Sequence, residues 1–320
     1  MCQITTESNN MIKSVLIMLS TYNGHEYLQE QLDSLYQQKD VDIHILVRDD
    51  GSKDNTVEIL KTYQHKYGKM TIHADENIGA AKSFHTLMSY AYCEYPNYDY
   101  YAFSDQDDVW LEDKLFIATQ QISENNGDLY YCNAIITDSN LNKIENLGCK
   151  RNLSLQYLMF RQPALGCTQV MTKKYFSLCT ELFKDYIKHN PPLIELHDVW
   201  TMWISQMIGI NVVVDEEAHM LYRQHGNNVT THNQESVLQK IRRVSKRSQE
   251  HKGYTYSNLK ILGELLRDRL TYSAKDALNR LYDYKSSILK TLSFAFYMQR
   301  YFKSLSIKAM VIYRIIYRLY

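Results

Sequence analysis

Three carboxylates fall within four residues of one another at Asp105, Asp107 and Asp108, directly after an apolar run. Carboxylates held this close repel each other, and a divalent cation is the usual compensation. Mg²⁺ and Mn²⁺ combine a few carboxylates with phosphate oxygens and water, which fits a nucleoside diphosphate ligand. The alternative is a solvated turn that caps the helix entering at Leu111–Lys114.

Two further polar segments also follow apolar runs, Arg48–Ser52 and Ser20–Asn23. A carboxylate such as Asp50 at a strand end could accept a hydrogen bond from a nucleotide base or a ribose hydroxyl. Tyr22 could stack on a base. Either segment could equally be a plain turn from a strand into a helix.

His197 and Asp198 precede an apolar helix that carries Trp200 and Trp203. Asp198 could be the N-cap of that helix. It could also be a general base that takes the proton from an attacking hydroxyl group. Farther on, a polar segment combines hydrogen-bond donors with a candidate metal ligand. It could bind a diphosphate leaving group or be a polar loop. The segment comprises Tyr222, Arg223, Gln224, His225, Gly226 and Asn227.

The elements that must position these residues follow from the hydrophobic pattern. Short apolar runs alternate with helical periodicity in the first third of the chain, and Asp54 is the predicted N-cap of the second helix. This β-α-β-α order predicts a mainly parallel sheet with helices on both faces, which binds ligands outside the carboxyl ends of its strands. The three acidic or polar segments lie at those ends, and the predicted strands are Ser14–Leu19, Ile43–Val47, Met70–His73 and Tyr100–Phe103.

The rest of the chain divides by charge. Lys and Arg number 18 against 31 Asp and Glu over residues 1–235, but 18 against 5 over residues 236–320. We therefore predict an α/β catalytic region over 1–235 and a basic, tyrosine-rich helical extension over 236–320, whose partner is an anionic membrane surface or the acidic front. Within the front, we predict a helix over His197–Ile208 and strands over Leu129–Thr137, Ala164–Thr172 and Ile210–Val214.

Bulk composition agrees with a globular protein, with 45% apolar and 22% charged residues in 320. The six cysteines form no CxxC pair, so reduced thiols and a cytoplasmic setting are favoured. The apolar run Val15–Leu19 is too short for a secretory signal, and no run approaches the 18 residues of a spanning helix.

Taken in order, six segments resemble the family 2 glycosyltransferases with the GT-A fold, over about residues 13–230. The acidic segment Asp105–Trp110 and the segment Arg223–Asn228 are most similar to members described as rhamnosyltransferases of bacterial surface polysaccharides. The matching segments are Val15–Gly24, Arg48–Thr56, Asn77–Gly79, Asp105–Trp110, Leu196–Trp200 and Tyr222–Asn228.

The resemblance implies a role for individual residues. Asp198 falls at the catalytic base, and Asp107 at the metal ligand, with His225 as a second candidate ligand. Asp105 lies nearer the ribose and diphosphate. The implied nucleotide-sugar-binding positions are Ser20, Tyr22, Asp50, Gly79, Lys82, Asp105 and Arg223.

The resemblance also implies a reaction. It is a single displacement with inversion that uses Mn²⁺ or Mg²⁺, and it adds single sugars because the Gln-x-x-Arg-Trp segment of processive members is missing. The implied donor is a nucleoside-diphosphate sugar, dTDP-rhamnose ahead of UDP-glucose or UDP-galactose. The implied acceptor is a saccharide or a polyprenyl-linked glycan, and no nucleic acid partner is expected.

Three alternatives compete with this enzyme. A catalytically silent nucleotide-sugar-binding or assembly module would keep the fold but lose carboxylates, whereas this chain retains Asp50, Asp105, Asp107 and Asp198. A nucleotidyltransferase needs a glycine-rich phosphate loop with a basic residue, and Ser20–Gly24 is not one. A dehydrogenase is disfavoured because no GxGxxG occurs.

The last segment, Ser286–Tyr320, interleaves basic residues with aromatic and aliphatic ones, a composition that suits the surface of an anionic membrane. Peripheral attachment to the inner face of the cell membrane is the expectation. The alternative is a helical subdomain that packs on the catalytic core or on a dimer partner.

Overall fold

The architecture is that of a computed structural model, which describes residues 12–149, 153–161, 164–192, 194–226 and 253–317. The first third forms four parallel strands in the order β3-β2-β1-β4, with helices in the connections. This order confirms the predicted parallel arrangement for these strands. The elements are β1 (Lys13–Thr21), α1 (Leu28–Tyr36), β2 (Val41–Asp49), α2 (Thr56–Tyr67), β3 (Met70–Ala74), α3 (Ala80–Glu94) and β4 (Tyr100–Ser104).

The second part of the sheet is mixed. β8 pairs antiparallel with both β4 and β6, while β9 pairs parallel with β6 and antiparallel with β5. The path through the sheet is β3-β2-β1-β4-β8-β6-β9-β5, with β7 paired to β6. The elements are β5 (Val109–Trp110), α4 (Lys114–Glu124), β6 (Leu129–Thr137), β7 (Lys143–Asn146), α5 (Leu155–Leu158), β8 (Gln169–Thr172), α6 (Lys173–Tyr186), α7 (His197–Ile208) and β9 (Val212–Arg223).

Strand β1 shows how the sequence builds two layers of core. Successive side chains of a strand point to opposite faces of the sheet. Leu16 and Met18 join one buried cluster, and Val15, Ile17 and Leu19 join the other. Since all five side chains are fully buried, helices must cover both faces of this strand.

Several predicted boundaries are wrong in detail. β8 begins at Gln169 rather than Ala164, because Gly166–Thr168 forms a 3₁₀ turn. The last strand, β9, extends to Arg223 because its pairing with β6 continues to Thr137. The N-cap of α2 is Asn55, and Asp54 instead accepts hydrogen bonds from the backbone N–H and hydroxyl of Thr56.

The C-terminal helices form a bundle with the catalytic region. They are α8 (Tyr254–Leu265), α9 (Tyr272–Asp283), α10 (Ile288–Met298) and α11 (Leu305–Ile316), and they pack on α5, α6 and α7. Thr271 and Ser287 cap α9 and α10 through hydrogen bonds to backbone N–H groups. Their buried residues join the cluster that contains Leu16 of β1.

The predicted helical character is confirmed for residues 253–317, and packing on the catalytic core is observed. The predicted boundary at residue 235 and the helical start at Ser236 lie outside the described residues. In the described part of the chain, every helix is too short or too polar to cross a membrane. The five cysteines of the described ranges are free thiols, as predicted.

Candidate functional site

The carboxyl ends of β1, β2 and β4 bring three of the predicted segments to one edge of the sheet. In the strand register, Thr21 lies beside Asp49, and Leu19 lies beside Ser104. The segments that follow these strands, with Tyr22, Asp50 and Asp105, therefore start from adjacent positions.

At the end of β2, Asp49 and Asp50 are buried and fully engaged by protein groups. Asp49 accepts hydrogen bonds from the Thr21 hydroxyl at 2.8 Å and from the backbone N–H and hydroxyl of Ser52 at 2.8 and 2.5 Å. Asp50 forms a buried ion pair with Arg48, a residue that the sequence analysis left without a role. These contacts supply the counter-charge and donors that buried carboxylates need.

Asp50 also orders the loop that precedes α3. Its two carboxylate oxygens accept the backbone N–H groups of Ile78 and Gly79, each at 2.9 Å. Gly79 has φ of +83° and is the N-cap of α3, a conformation that side chains rarely adopt. Lys82 is exposed in the first turn of this helix. Asp50, which follows β2, thus orders the start of α3, where the predicted donor-side residues Gly79 and Lys82 lie.

Side-chain hydrogen bonds also link the end of β1 to α3 and to the acidic segment. The hydroxyl of Ser20 lies 2.6 Å from that of Ser83 in α3, and Arg48 donates to Ser83 at 3.1 Å. The ring of Tyr22 is 47% exposed, which leaves it accessible for stacking. Its backbone is held by the Gln106 amide through two hydrogen bonds.

The acidic segment after β4 differs from that after β2, because Asp105 and Asp108 lack an ion pair with a cationic side chain among the described contacts. Burial and the charges of Asp107 and Asp198 raise the pKa of Asp105 to about 7. Burial and the charges of Asp107 and Asp105 raise the pKa of Asp108 well above its usual range. The effect of Asp198 on Asp105 shows that the predicted base and the acidic segment are close together.

Asp198 lies in the first turn of α7 and is 94% buried, with a side-chain oxygen 2.7 Å from the backbone N–H of Val199. The N-cap of this helix is Leu196, so the capping alternative is wrong. The Gln169 amide donates to the Asp198 backbone carbonyl at 3.4 Å and accepts from the Thr201 hydroxyl at 2.6 Å. These bonds tie α7 to β8.

His225 lies beside Asp107, as a shared metal site requires. Its Nε2 atom is 2.8 Å from a carboxylate oxygen of Asp107, and its ring contacts that of Tyr27 with centroids 4.8 Å apart. A carboxylate oxygen and an imidazole nitrogen are both ligands for Mn²⁺, whereas Mg²⁺ prefers oxygen. Asp105, Asp108 and Cys167 offer a second set of ligand atoms within 4.8 Å of one another.

Arg223 has a different setting from the one its predicted role implies. Its guanidinium donates to the backbone carbonyls of Asp107 and Ser139, pairs with Glu30 and lies 4.4 Å from the ring centroid of Tyr27. Its backbone N–H donates to Asp108 at 3.3 Å. These contacts hold the acidic segment in place. Binding of a diphosphate by Arg223 stays a prediction.

Lys114 and Cys167 lie buried beneath the acidic segment. The Lys114 ammonium stands 3.2 Å from the Trp110 ring centroid, and burial lowers its pKa to about 8. Burial and the charge of Asp108 raise the pKa of the Cys167 thiol well above its usual range. These two residues complete the polar environment of Asp108.

Sequence reasoning missed Arg48, Glu30 and Tyr27 as parts of the site. Arg48 precedes two aspartates at a strand end, so its sequence position offered a signal. Glu30 and Tyr27 lie in or next to the first turn of α1, and Glu30 meets a partner 193 residues away. No local pattern indicates that pair.

Comparison with known proteins places this geometry in a family. Residues 16–181 match the family model for glycosyl transferase family 2. The dTDP-rhamnosyl transferase RfbG of Shigella flexneri is 36% identical over 217 residues, which are 66% of this chain and 72% of that protein. The glycosyltransferase GlyG of Streptococcus pneumoniae serotype 4 is 27% identical over 228 residues, 68% of this chain and 73% of that protein.

Two solved structures share the fold. Residues 1–349 of TarS from S. aureus, in complex with UDP, superpose with a TM-score of 0.53 at 18% identity, covering 88% of this chain and 75% of that one. The mannosyltransferase PcManGT from Pyrobaculum calidifontis, in complex with GDP-Man and Mn²⁺, gives 0.51 at 14% identity, with 97% and 81% covered. Since the family model spans more than half of the chain, and a relative with 36% identity aligns over 72% of its own length, this chain belongs to glycosyl transferase family 2 and is a glycosyltransferase with the GT-A fold.

Proposed function

We propose that this glycosyltransferase is inverting and metal-dependent, and that it moves one sugar from a nucleoside diphosphate onto a growing bacterial surface glycan or a polyprenyl-linked acceptor. The observation that carries the proposal is that the charges of both Asp107 and Asp198 act on Asp105 and raise its pKa. A group that can take a proton and groups that can bind a metal diphosphate therefore lie close enough for their charges to interact.

The metal is assigned to Asp107 and His225. Their ligand atoms already lie 2.8 Å apart, and the mixed oxygen and nitrogen set makes Mn²⁺ the first ion to test, ahead of Mg²⁺. PcManGT, which shares the fold, was solved with Mn²⁺. When bound, such an ion stabilises the negative charge of the departing diphosphate.

The remaining donor contacts are assigned by position. Ser20 and Tyr22 end β1 near the nucleotide, and Tyr22 offers an exposed ring for stacking. Asp105 faces the ribose and diphosphate. Asp50 holds the loop that carries Gly79, and Lys82, in the first turn of α3, supplies a positive charge near the diphosphate.

Asp198 is assigned as the general base. Its carboxylate lies at the N-terminus of α7, where the helix dipole favours a negative charge. It takes the proton from the acceptor hydroxyl as this oxygen attacks the anomeric carbon and the bond to the diphosphate breaks on the opposite side. General-base assistance of this kind is worth about 10²–10⁴ in rate.

An Asp198→Asn variant tests the base. Transfer should fall by about 10²–10⁴ while the dissociation constant of the donor stays within about twofold, because the amide keeps the shape but cannot take a proton. Asp185→Asn, an exposed aspartate in α6, is the matched control and should keep full transfer. Unchanged turnover in Asp198→Asn would refute the assignment.

The donor is proposed to be dTDP-L-rhamnose, because the relative with 36% identity is named a dTDP-rhamnosyl transferase. A hydrolysis screen across nucleotide sugars with Mn²⁺ tests it, with UDP-glucose and UDP-galactose as the next candidates. Fastest hydrolysis of another donor would replace rhamnose in the proposal. A catalytically silent module of the same fold predicts binding without turnover of any donor, so the same screen distinguishes that alternative.

The proposed setting is the cytoplasm. Free thiols at Cys93, Cys132, Cys149, Cys167 and Cys179 fit a reducing compartment. Fractionation of cells that express the chain would test this placement.

A further inference from the structure

The helix α10 is apolar on both of its faces, but within the described part of the chain only one face is covered. Phe294, Ala295 and Met298 are buried against the bundle. On the opposite side, Leu289, Leu292 and Phe296 are 80%, 51% and 62% exposed, and we call these three residues the α10 apolar row. A helix that is hydrophobic all round normally has both faces covered.

The neighbouring helix α9 shows that this exposure is not general to the bundle. Its buried face holds Ala277 and Leu278, while its outer face carries Lys275, Asn279 and Arg280. That is the division expected of a helix facing water. Exposed aliphatic side chains are therefore concentrated on α10 and, with Leu305 and Ile316, on α11.

The charge around the row is mainly positive, although Lys290 pairs with Asp283 and Arg280 pairs with Asp276. Residues 284–320 contain seven Lys and Arg and not a single Asp or Glu. In the described part of this segment, Arg300 and Lys303 are exposed, Lys308 is half-buried, and Arg300 lies over the Phe296 ring at 5.4 Å. Apolar and cationic groups thus lie side by side on one surface.

A groove continues the row toward α11. It is a cavity of about 720 Å³ whose apolar walls include Leu292, Phe296, Ile312 and Ile316, and whose lining also includes Arg280 and Arg300. Apolar walls beside guanidinium groups suit a molecule with an acyl chain and an anionic head.

We propose that the α10 apolar row, with this groove and its surrounding lysines and arginines, docks the enzyme on the surface of an anionic lipid bilayer. Leu289, Leu292 and Phe296 enter the boundary of the acyl chains, and the cationic groups meet the phosphates. A second copy of this chain fits less well, because two such surfaces would bring like charges together. The inference goes beyond sugar transfer and does not depend on the identity of the donor.

The test is flotation of the full chain with vesicles of phosphatidylcholine alone or with added phosphatidylglycerol, at low and high salt. Binding should require phosphatidylglycerol and weaken at high salt. Leu289→Ser combined with Phe296→Ser should lower the partition coefficient by at least about tenfold, because two large apolar side chains are lost from the boundary. Lys303→Gln combined with Lys308→Gln should lower it by about fivefold for each lysine.

Ile144→Ser combined with Ile187→Ser is the matched control, since both isoleucines are exposed but lie in the catalytic region. This variant should bind as the wild type does. Equal binding to both vesicle types, or unchanged binding of the α10 variant, would overturn the proposal. A wild-type dimer in light scattering that dissociates in the α10 variant, without vesicle binding, would instead identify the row as an interface between copies.

Donor hydrolysis measured without vesicles separates this result from the proposed function. The α10 and lysine variants should hydrolyse the donor at the wild-type rate, which also reports that they fold. Vesicle binding without any hydrolysis would refute the enzyme proposal and leave the docking surface intact.

Discussion

Asp49 and Asp50 end or follow β2, and Asp105, Asp107 and Asp108 follow β4, so both acidic segments lie at the same edge of one sheet. The β2 segment is neutralised within the protein by Arg48 and by backbone and hydroxyl donors. In the β4 segment, burial and mutual repulsion raise the pKa values of Asp105 and Asp108.

The difference shows how similar residues at similar positions take different tasks. A carboxylate that is ion-paired and hydrogen-bonded within the protein can order a loop, as Asp50 does for Ile78 and Gly79. Carboxylates that repel each other are destabilised in their charged form. A bound cation therefore stabilises them more than it stabilises carboxylates that are already paired. The β2 segment is therefore expected to serve structure, and the β4 segment chemistry.

The largest effect is expected from Asp107→Ala. Removing this ligand should lower transfer by about 10³-fold, because a bound metal contributes several kcal/mol of charge stabilisation in the transition state. Calorimetry with and without Mn²⁺ should show that metal-dependent donor binding is lost. Asp113→Ala, an exposed aspartate just before α4, should change neither. Metal-dependent donor binding that survived in Asp107→Ala would remove the β4 segment from the metal site.

The next effect concerns stability and the β2 segment. Arg48→Met should lower the free energy of unfolding by about 3–5 kcal/mol, because it leaves the buried Asp50 carboxylate without its counter-charge. Urea denaturation measures this. Adding Asp50→Asn to the same chain should recover part of the loss. A loss below about 1 kcal/mol would contradict the view that this pair holds the loop.

Mn²⁺ should stabilise the folded protein through the β4 segment. At a free concentration one hundred times its dissociation constant, the expected gain is about 2.7 kcal/mol, because the ion binds the folded state alone. Thermal unfolding at several Mn²⁺ concentrations reports the gain as a rising Tm. The gain should vanish in Asp107→Ala and persist in Asp50→Asn, and the reverse pattern would exchange the roles of the two segments.

The smallest effect is a pH dependence of the β4 segment without metal. The pKa of Asp105 is about 7 in the folded protein and about 4 in the unfolded chain, so folding becomes less favourable as the pH rises from about 4 to 7. Asp105→Asn removes that loss and should raise the Tm at pH 8. Well below pH 4, residue 105 is uncharged in the folded and unfolded states of both proteins, so this difference in stability should vanish. Equal Tm values at pH 8 would show that the charge of Asp105 is already compensated.

Local pattern was sufficient for most of the fold. The apolar runs became β1 to β4, and the helix predicted over His197–Ile208 has those bounds in the structure. The pattern failed where tertiary contacts set a boundary. Gly166–Thr168 forms a 3₁₀ turn before β8, and Gly166 packs so closely on His197 that an added Cβ would lie 2.2 Å from its Nε2 atom.

The site was predictable only as a set of candidates. Spacing and resemblance indicated the acidic segments and Asp198, and they gave Asp107 and His225 as candidate metal ligands. The partners of Arg223 were not, because Glu30 is separated from it by 193 residues. The spacing of residues in a sequence does not indicate which charged residue of a distant element will form the ion pair.

The amino-acid sequence by itself determined where strands end in carboxylates and how strongly the basic tail differs in charge from the acidic front. These features depend on hydrophobic period and composition, which are local. Tertiary structure decided that Arg48 neutralises Asp50 and that Asp198 meets Asp105. It also decided that one apolar face of α10 is exposed among the residues that the structure describes. Desolvation and ion pairing depend on distances in space, and only the folded chain sets those.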